Sequence, residues 1–386
     1  MKSGGEMIVS LKDSFKLIGI VIVTFCAVFV STFFLNFYLD AKSIEGSITA
    51  EETLTLYNAQ MLTAKFTCAI SGGFLAVIAA VMLVFYLKLY IDSHCRHIGI
   101  LKAMGYSDKE IAMRFYVFGV SVFIGAALGF VIGFAYMPSV YKSLTIDGLP
   151  EIAINFHPLL LIVLVVVPAA VYSILSCFFA YFQLKKPVLN MLRGKILKEK
   201  RDKVQYKEKD RSFLKEMFIE TLRSKKLLAF FIAFACFCFS AMVQMGASMK
   251  ELSTTEMGTM ILLIGIVLAV TTLFMAITSI LKGNIKNISI MKAFGYSMKE
   301  YSVAVLAGYN IFAFIGFAVG TLYQYGLLKL MVEVVYNDVG SVPDYNFNVS
   351  VFFITLAIFI VLFEGVMAFY AYRMSRISVK EVMTEN

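Results

Sequence analysis

Two stretches of this chain read almost alike: LKAMGYS, Leu101 to Ser107, and MKAFGYS, Met291 to Ser297, 190 residues apart in a chain of 386. Each follows a long apolar run. Ile98, Leu101 and Met104 are spaced i, i+3, i+6, and so are Ile288, Met291 and Phe294, which gives each helix one apolar stripe. Gly105 and Gly295 then fall where a left-handed residue ends a helix. Ser107 with Glu110, and Ser297 with Glu300, have the S-x-x-E spacing of a capping box that starts the next helix. The predicted unit is helix, two-residue turn, helix. A tight hairpin explains the Gly and the Ser. It does not explain an apolar stripe beyond the membrane boundary, which needs a protein groove or the lipid interface to cover it.

The boundary is that of a bilayer. Hydrophobic residues make up 60% of the chain and charged residues 16%, and the mean hydropathy is +0.80. A soluble domain of this size needs more charge to cover its surface, so the class is all-α polytopic membrane protein. Runs of roughly 20 apolar residues are long enough to cross the hydrocarbon core. Eight are expected, near 15–37, 64–91, 114–137, 157–183, 227–248, 257–281, 303–331 and 349–372. The first is too long for a signal peptide and lacks a small-residue cleavage site, so it reads as a retained anchor.

Charge sets the expected orientation. Segment 185–226 carries 15 Lys or Arg against 6 Asp or Glu, whereas the loops 38–63, 138–156, 249–256 and 333–348 together carry 11 acidic and 3 basic residues. Lys and Arg near spans mark the cytoplasmic side. Both termini and the basic linker are expected in the cytoplasm and the four acidic loops outside, in a multi-pass protein of the plasma (cytoplasmic) membrane. A juxtamembrane basic segment facing anionic lipid accounts for the linker without a nucleic-acid partner.

The repetition runs beyond the quoted stretches. Gly125-Ala-Ala-Leu-Gly129 recurs as Gly316-Phe-Ala-Val-Gly320, and Ala180-Tyr181 and Val188 recur as Ala371-Tyr372 and Val379. Each half holds four predicted spans and begins on the same side, so the halves are expected to be parallel repeats: 1–192, a basic linker 193–213, and 214–386. The G-x-x-x-G pairs Gly125/Gly129 and Gly316/Gly320 allow close helix packing, either within each half or where the halves meet.

Chemistry in this chain is scarce. It has no G-x-x-x-x-G-K-[ST] phosphate loop, so it cannot bind ATP by that route. Asp92, His94, Cys95 and His97 read as a polar helix end rather than a metal site. The six cysteines, with no C-x-x-C pair, read as reduced and packed. Glu364 stands within the last span, where a carboxylate is costly. It is expected to face the bundle interior, a wet cavity or a basic partner, or to pair with a Lys or Arg near the boundary. Pro168 predicts a kink in the fourth span.

The stretches HIGILKAMGYSDKEIA (His97 to Ala112) and NISIMKAFGYSMKEYSV (Asn287 to Val303), each between two spans, resemble the FtsX-like permease domain, whose members are membrane subunits of MacB-like, type VII ABC transporters. The resemblance covers both halves. It implies cytoplasmic coupling helices that dock on a separate ABC ATPase, with Ile98, Leu101, Lys102, Met104 and Gly105, and Ile288, Met291, Lys292, Phe294 and Gly295, as contacts. It further implies that ATP and Mg belong to the partner, with two ATPase copies per chain, and that this chain has no cofactor and is no enzyme. Two departures narrow it. The Arg-Glu-Ile lead-in of many members is replaced by Arg96-His97-Ile98 and Lys286-Asn287-Ile288. The loops after the first span of each half, about 26 and 8 residues, are too short for an extracytoplasmic domain. The expected job is coupling ATP hydrolysis to export, extraction or sensing of a hydrophobic, amphiphilic or peptide substrate. The alternative is a non-transporting membrane scaffold that works with an ATPase to transmit force or a signal.

Overall fold

The computed structural model describes residues 14–43, a few between 54 and 65, 73–144, 152–185, Val188, Met191, 226–252, 255–336 and 345–376. The linker 193–213, Cys68, the chain ends, the proposed domain edges and much of the acidic loops fall outside these residues. Every described element is a helix, as the composition demands: in a bilayer only a helix satisfies all of its backbone within one segment.

Contacts divide the chain into two compact units, meeting in sequence at Gln205 and Tyr206. The first contains α1 (Ser14–Lys42), α2 (Gly73–Ser93), α3 (Cys95–Ala103), α4 (Asp108–Met113), α5 (Val117–Leu144) and α6 (Pro158–Leu184). The second contains α7 (Lys226–Leu252), α8 (Thr255–Ala293), α9 (Met298–Ser302), α10 (Gly308–Tyr336) and α11 (Val349–Ser375). Seven helices among the described residues are long and apolar enough to cross a membrane. The eighth expected span is α2, which passes that test only together with α3, across a 65° bend. At the bend His94 stacks on Tyr90 with ring centroids 4.2 Å apart. Its counterpart α8 runs unbroken for 39 residues.

Helix starts follow local chemistry. Asn348 caps α11, its side chain accepting from the Val351 N–H at 3.2 Å. Pro158 opens α6 at a position where its missing N–H costs nothing. The expected disturbance near Pro168 takes the form of a π-helical turn at Ile162–Val166, just before the proline. A second π turn, Val303–Ala307, leads into α10. Such turns admit one extra residue without breaking the helix.

The paired glycines act within each unit. A Cβ on Gly125 would lie 2.5 Å from the Val21 carbonyl oxygen, and one on Gly129 2.6 Å from that of Phe25, so α5 rides directly on α1. A Cβ on Gly316 would lie 2.0 Å from the Ala233 oxygen, and one on Gly320 2.6 Å from that of Phe237, so α10 rides on α7 in the same way. In lipid such backbone-to-backbone contact is what holds helices together, because the surroundings are as apolar as the side chains.

Candidate functional site

The two repeated stretches form the same object. Met104 N–H donates to Ile100 O (2.9 Å), Gly105 N–H to Lys102 O (3.1 Å) and Tyr106 N–H to Leu101 O (3.2 Å). The second copy repeats this with Phe294 to Ile290 (3.0 Å), Gly295 to Lys292 (3.0 Å) and Tyr296 to Met291 (3.1 Å). The last two bonds of each set make a Schellman stop, which requires positive φ at the glycine. Gly105 has φ 95° and Gly295 82°, the only positive values among the described residues. The next helix starts on a capping box in both. Ser107 N–H donates to Glu110 Oε2 at 2.8 Å and Glu110 N–H returns to Ser107 Oγ at 3.2 Å. Ser297 N–H donates to Glu300 Oε2 at 2.7 Å.

The apolar stripe is not presented as one surface. Ile98, Ile288 and Met291 are buried inside their own units and Leu101 is half-buried, which leaves the hairpin tips exposed, Met104 at 69% and Phe294 at 77%. Tyr106 and Met298 continue those tips. The inner half of each stripe therefore anchors the hairpin to its own unit.

The two motif lysines also turn inward. Lys102 Nζ donates to the Leu184 carbonyl at 2.6 Å, at the end of α6, and pairs with Asp108 at 2.8 Å. Lys292 Nζ donates to the Ser375 carbonyl at 2.7 Å, at the end of α11. The last carbonyls of a helix have no partner within it, and a lysine from elsewhere both satisfies them and complements the dipole. Each hairpin is thus clasped to the end of its unit's last span. Met298 stands where the first copy has Asp108, so the position that pairs with Lys102 in the first clasp is uncharged in the second.

A family model described as FtsX-like permease C-terminal matches the chain twice, at residues 69–188 and 259–379, more than half of its length. The chain belongs to the FtsX-like permease family. It is therefore a multi-pass membrane permease of ABC-transporter type, of a kind that works with an ABC ATPase. No curated protein and no solved structure matches it.

Elsewhere in the permease, Glu364 lies on the exposed face of α11 with Val361 (72% exposed) and Phe369 (49%). Of the settings expected for it, the interior of its own unit is the one it does not take. No group of His, Cys, Asp and Glu among the described residues is arranged to hold a metal. Cys26, Cys95, Cys177, Cys236 and Cys238 are unbridged.

Sequence reading missed the most polar site in the first unit. Asp40, 1% exposed, accepts at Oδ2 from Asn36 Nδ2 (2.7 Å), Tyr141 OH (2.7 Å) and the Asn155 N–H (3.3 Å). Its Oδ1 lies 2.8 Å from His157 Nε2. One carboxylate thereby ties α1, α5 and the approach to α6. The signal was present as Asn36 and Asp40, one turn apart near the end of a mostly apolar helix. The second unit closes the matching helix pair with neutral groups. Gln244 Nε2 donates to Ser240 Oγ (2.9 Å) and Thr321 Oγ1 (2.8 Å), and Gln324 Nε2 donates to Tyr345 OH (2.7 Å).

Proposed function

We propose that the permease couples ATP hydrolysis by a separate ABC ATPase, bound in two copies, to export, extraction or sensing of a hydrophobic, amphiphilic or peptide substrate. ATP and Mg reside on that partner, and the two hairpins are its docking points. The observation that carries this reading is the clasp with its exposed tip: Met104 and Phe294 project from hairpins whose lysines are bonded to the ends of the last spans. A push on the tip reaches the membrane directly, through Leu184 in one unit and Ser375 in the other. Closing an ATP sandwich requires two nucleotide-binding subunits, and two hairpins supply one dock for each. The same geometry would serve a force-transmitting scaffold, and substrate-stimulated ATP hydrolysis in liposomes separates the two. Transport in this reading is outward or lateral, with both termini and the basic linker on the ATPase side.

Burying one Met or Phe tip is worth about 1.5–3 kcal/mol, so Met104→Asp or Phe294→Asp should weaken docking on its own side at least tenfold. Either variant should insert normally and lose coupled ATP hydrolysis. Native mass measurement of the purified complex gives the stoichiometry. A complex without an ATPase, or two permease chains with two ATPases, would overturn the proposal.

A further inference from the structure

Between α2 and α6 the first unit carries a cavity of about 200 Å³, open to one side and walled by Leu83, Val84 and Leu87 from α2 and by Leu175, Phe178 and Phe182 from α6. Leu83 and Leu87 form its buried floor, while Val84, Phe178 and Phe182 are exposed along its rim. The wall is wholly apolar, yet its mouth is basic. Lys88 lies one helical turn beyond Val84 on the same face of α2. Lys185 Nζ stands 5.3 Å from the Phe182 ring centre. Both lysines lie at the hairpin end, where Lys102 clasps Leu184. From Phe182 back to Leu175 the groove runs about 10 Å along the helix toward the bilayer centre.

Among the described residues of the second unit the matching place is tighter, and an aromatic side chain narrows it. The register of the two family matches puts Phe274 at the position of Val84 and Phe369 at that of Phe178. The Phe274 ring lies 5.9 Å from Phe369 and 5.7 Å from Tyr370, filling the space, and the Tyr370 hydroxyl donates to the Phe274 carbonyl at 2.7 Å. Thr278 stands where the first unit has Lys88, so one of the two cations is missing together with the space, Arg376 standing at the position of Lys185. The cavity walled by Leu273 and Phe363 there is about 20 Å³.

We propose that the α2–α6 groove is a binding site for one anionic glycerophospholipid of the leaflet on the hairpin side, its acyl chain along Val84 and Phe178 and its phosphate between Lys88 and Lys185. A hydrocarbon chain matches a narrow, fully apolar trough that ends near the bilayer centre. An anionic headgroup matches two ammonium groups at the membrane surface, each worth roughly fivefold in affinity. The lipid would lie against α2 and α6, the two helices that carry and clasp the first hairpin.

The second unit supplies the test variants. The full chain is placed in nanodiscs of equal phosphatidylglycerol and phosphatidylcholine, released, and its retained lipids are counted by native mass spectrometry. The native chain should keep one more phosphatidylglycerol than Val84→Phe, which copies the aromatic plug, and Phe274→Val combined with Thr278→Lys should gain one. Lys88→Thr and Lys185→Gln should each lower the preference for phosphatidylglycerol about fivefold at unchanged melting temperature. Equal retention of the two lipids by the native chain overturns the proposal. So does an unchanged phosphatidylglycerol count in both Val84→Phe and Lys88→Thr.

Discussion

In the first unit α1 and α5 close around a carboxylate, and in the second α7 and α10 close around two amides. The glycine contacts set a common register, in which Val21 answers to Ala233 and Phe25 to Phe237. Counting along it, Asn36 falls at the position of Ser248 and Thr32 at that of Gln244. The same helix pair, in the same packing, has thus been fastened once with charge and once without. The charged version gathers its elements on one residue, since Asp40 also takes Asn155 and His157 from the approach to α6, whereas the second unit reaches the approach to α11 through Tyr345, bonded to Ser248 and Gln324. It also carries more risk, because a buried ion that loses its partners is left uncompensated. The neutral version is spread over two short networks, so no single residue there has the same leverage.

That contrast can be broken by substitution. Asp40→Leu removes the shared acceptor of Asn36, Tyr141, His157 and the Asn155 N–H at once, although Asn36 still donates to Tyr141 at 3.0 Å, and should cost ~3–5 kcal/mol, a drop of roughly 10 °C in the unfolding midpoint of the detergent-solubilised permease. Gln244→Leu removes donors from hydroxyls that retain each other, Ser240 and Thr321 being 2.9 Å apart, and should cost ~1–2 kcal/mol. Equal drops for the two variants would show that the charge confers no extra dependence.

A smaller effect sharpens the packing side of the comparison. The Cβ of Gly316→Ala meets the Ala233 carbonyl oxygen first, at 2.0 Å, whereas that of Gly125→Ala meets the Thr24 hydroxyl at 2.1 Å, a side chain that can turn. Gly316→Ala should cost ~3 kcal/mol and Gly125→Ala about 1 kcal/mol less, read from the same melts. The reverse order would mean that α1 and α5 are the more rigid pair. The smallest effect belongs to the hairpins. Gly105→Ala and Gly295→Ala meet open space but must hold φ near +95° and +82°, at ~1–2 kcal/mol each. Because the two turns are built alike, their costs should match within a few tenths of a kcal/mol. A marked difference would expose a contact made by one turn alone.

The hairpins were legible because everything that forms them is local. A glycine ends one helix and a Ser-x-x-Glu starts the next, within ten residues. Helix existence was legible for the same reason, since apolar length alone decides it. Non-local pairing was not. Lys102 reads as an exposed basic residue until the fold brings it to a carbonyl 82 residues away, and Ile98 reads as available until its own unit buries it. Asp40 reads as one more acidic residue of the loop 38–63, although Asn36 one turn earlier marks a polar patch. Glu364 shows the limit of a sound rule: the rule asks an intramembrane carboxylate to avoid lipid, but the sequence does not say which face of α11 carries it.

The clasps also set an order of events during synthesis. Lys102 and its carbonyl are 82 residues apart and Lys292 and its carbonyl 83, so neither hairpin is fastened when it first leaves the ribosome. The first waits for Leu184 and the second for Ser375, each the end of the final helix of its unit. Domains fold as units as the chain grows, so the first hairpin is secured while the second unit is still being translated. Until each last helix is in the membrane, its hairpin is a local fold without a footing. The surface offered to a partner is therefore finished late, and in two instalments.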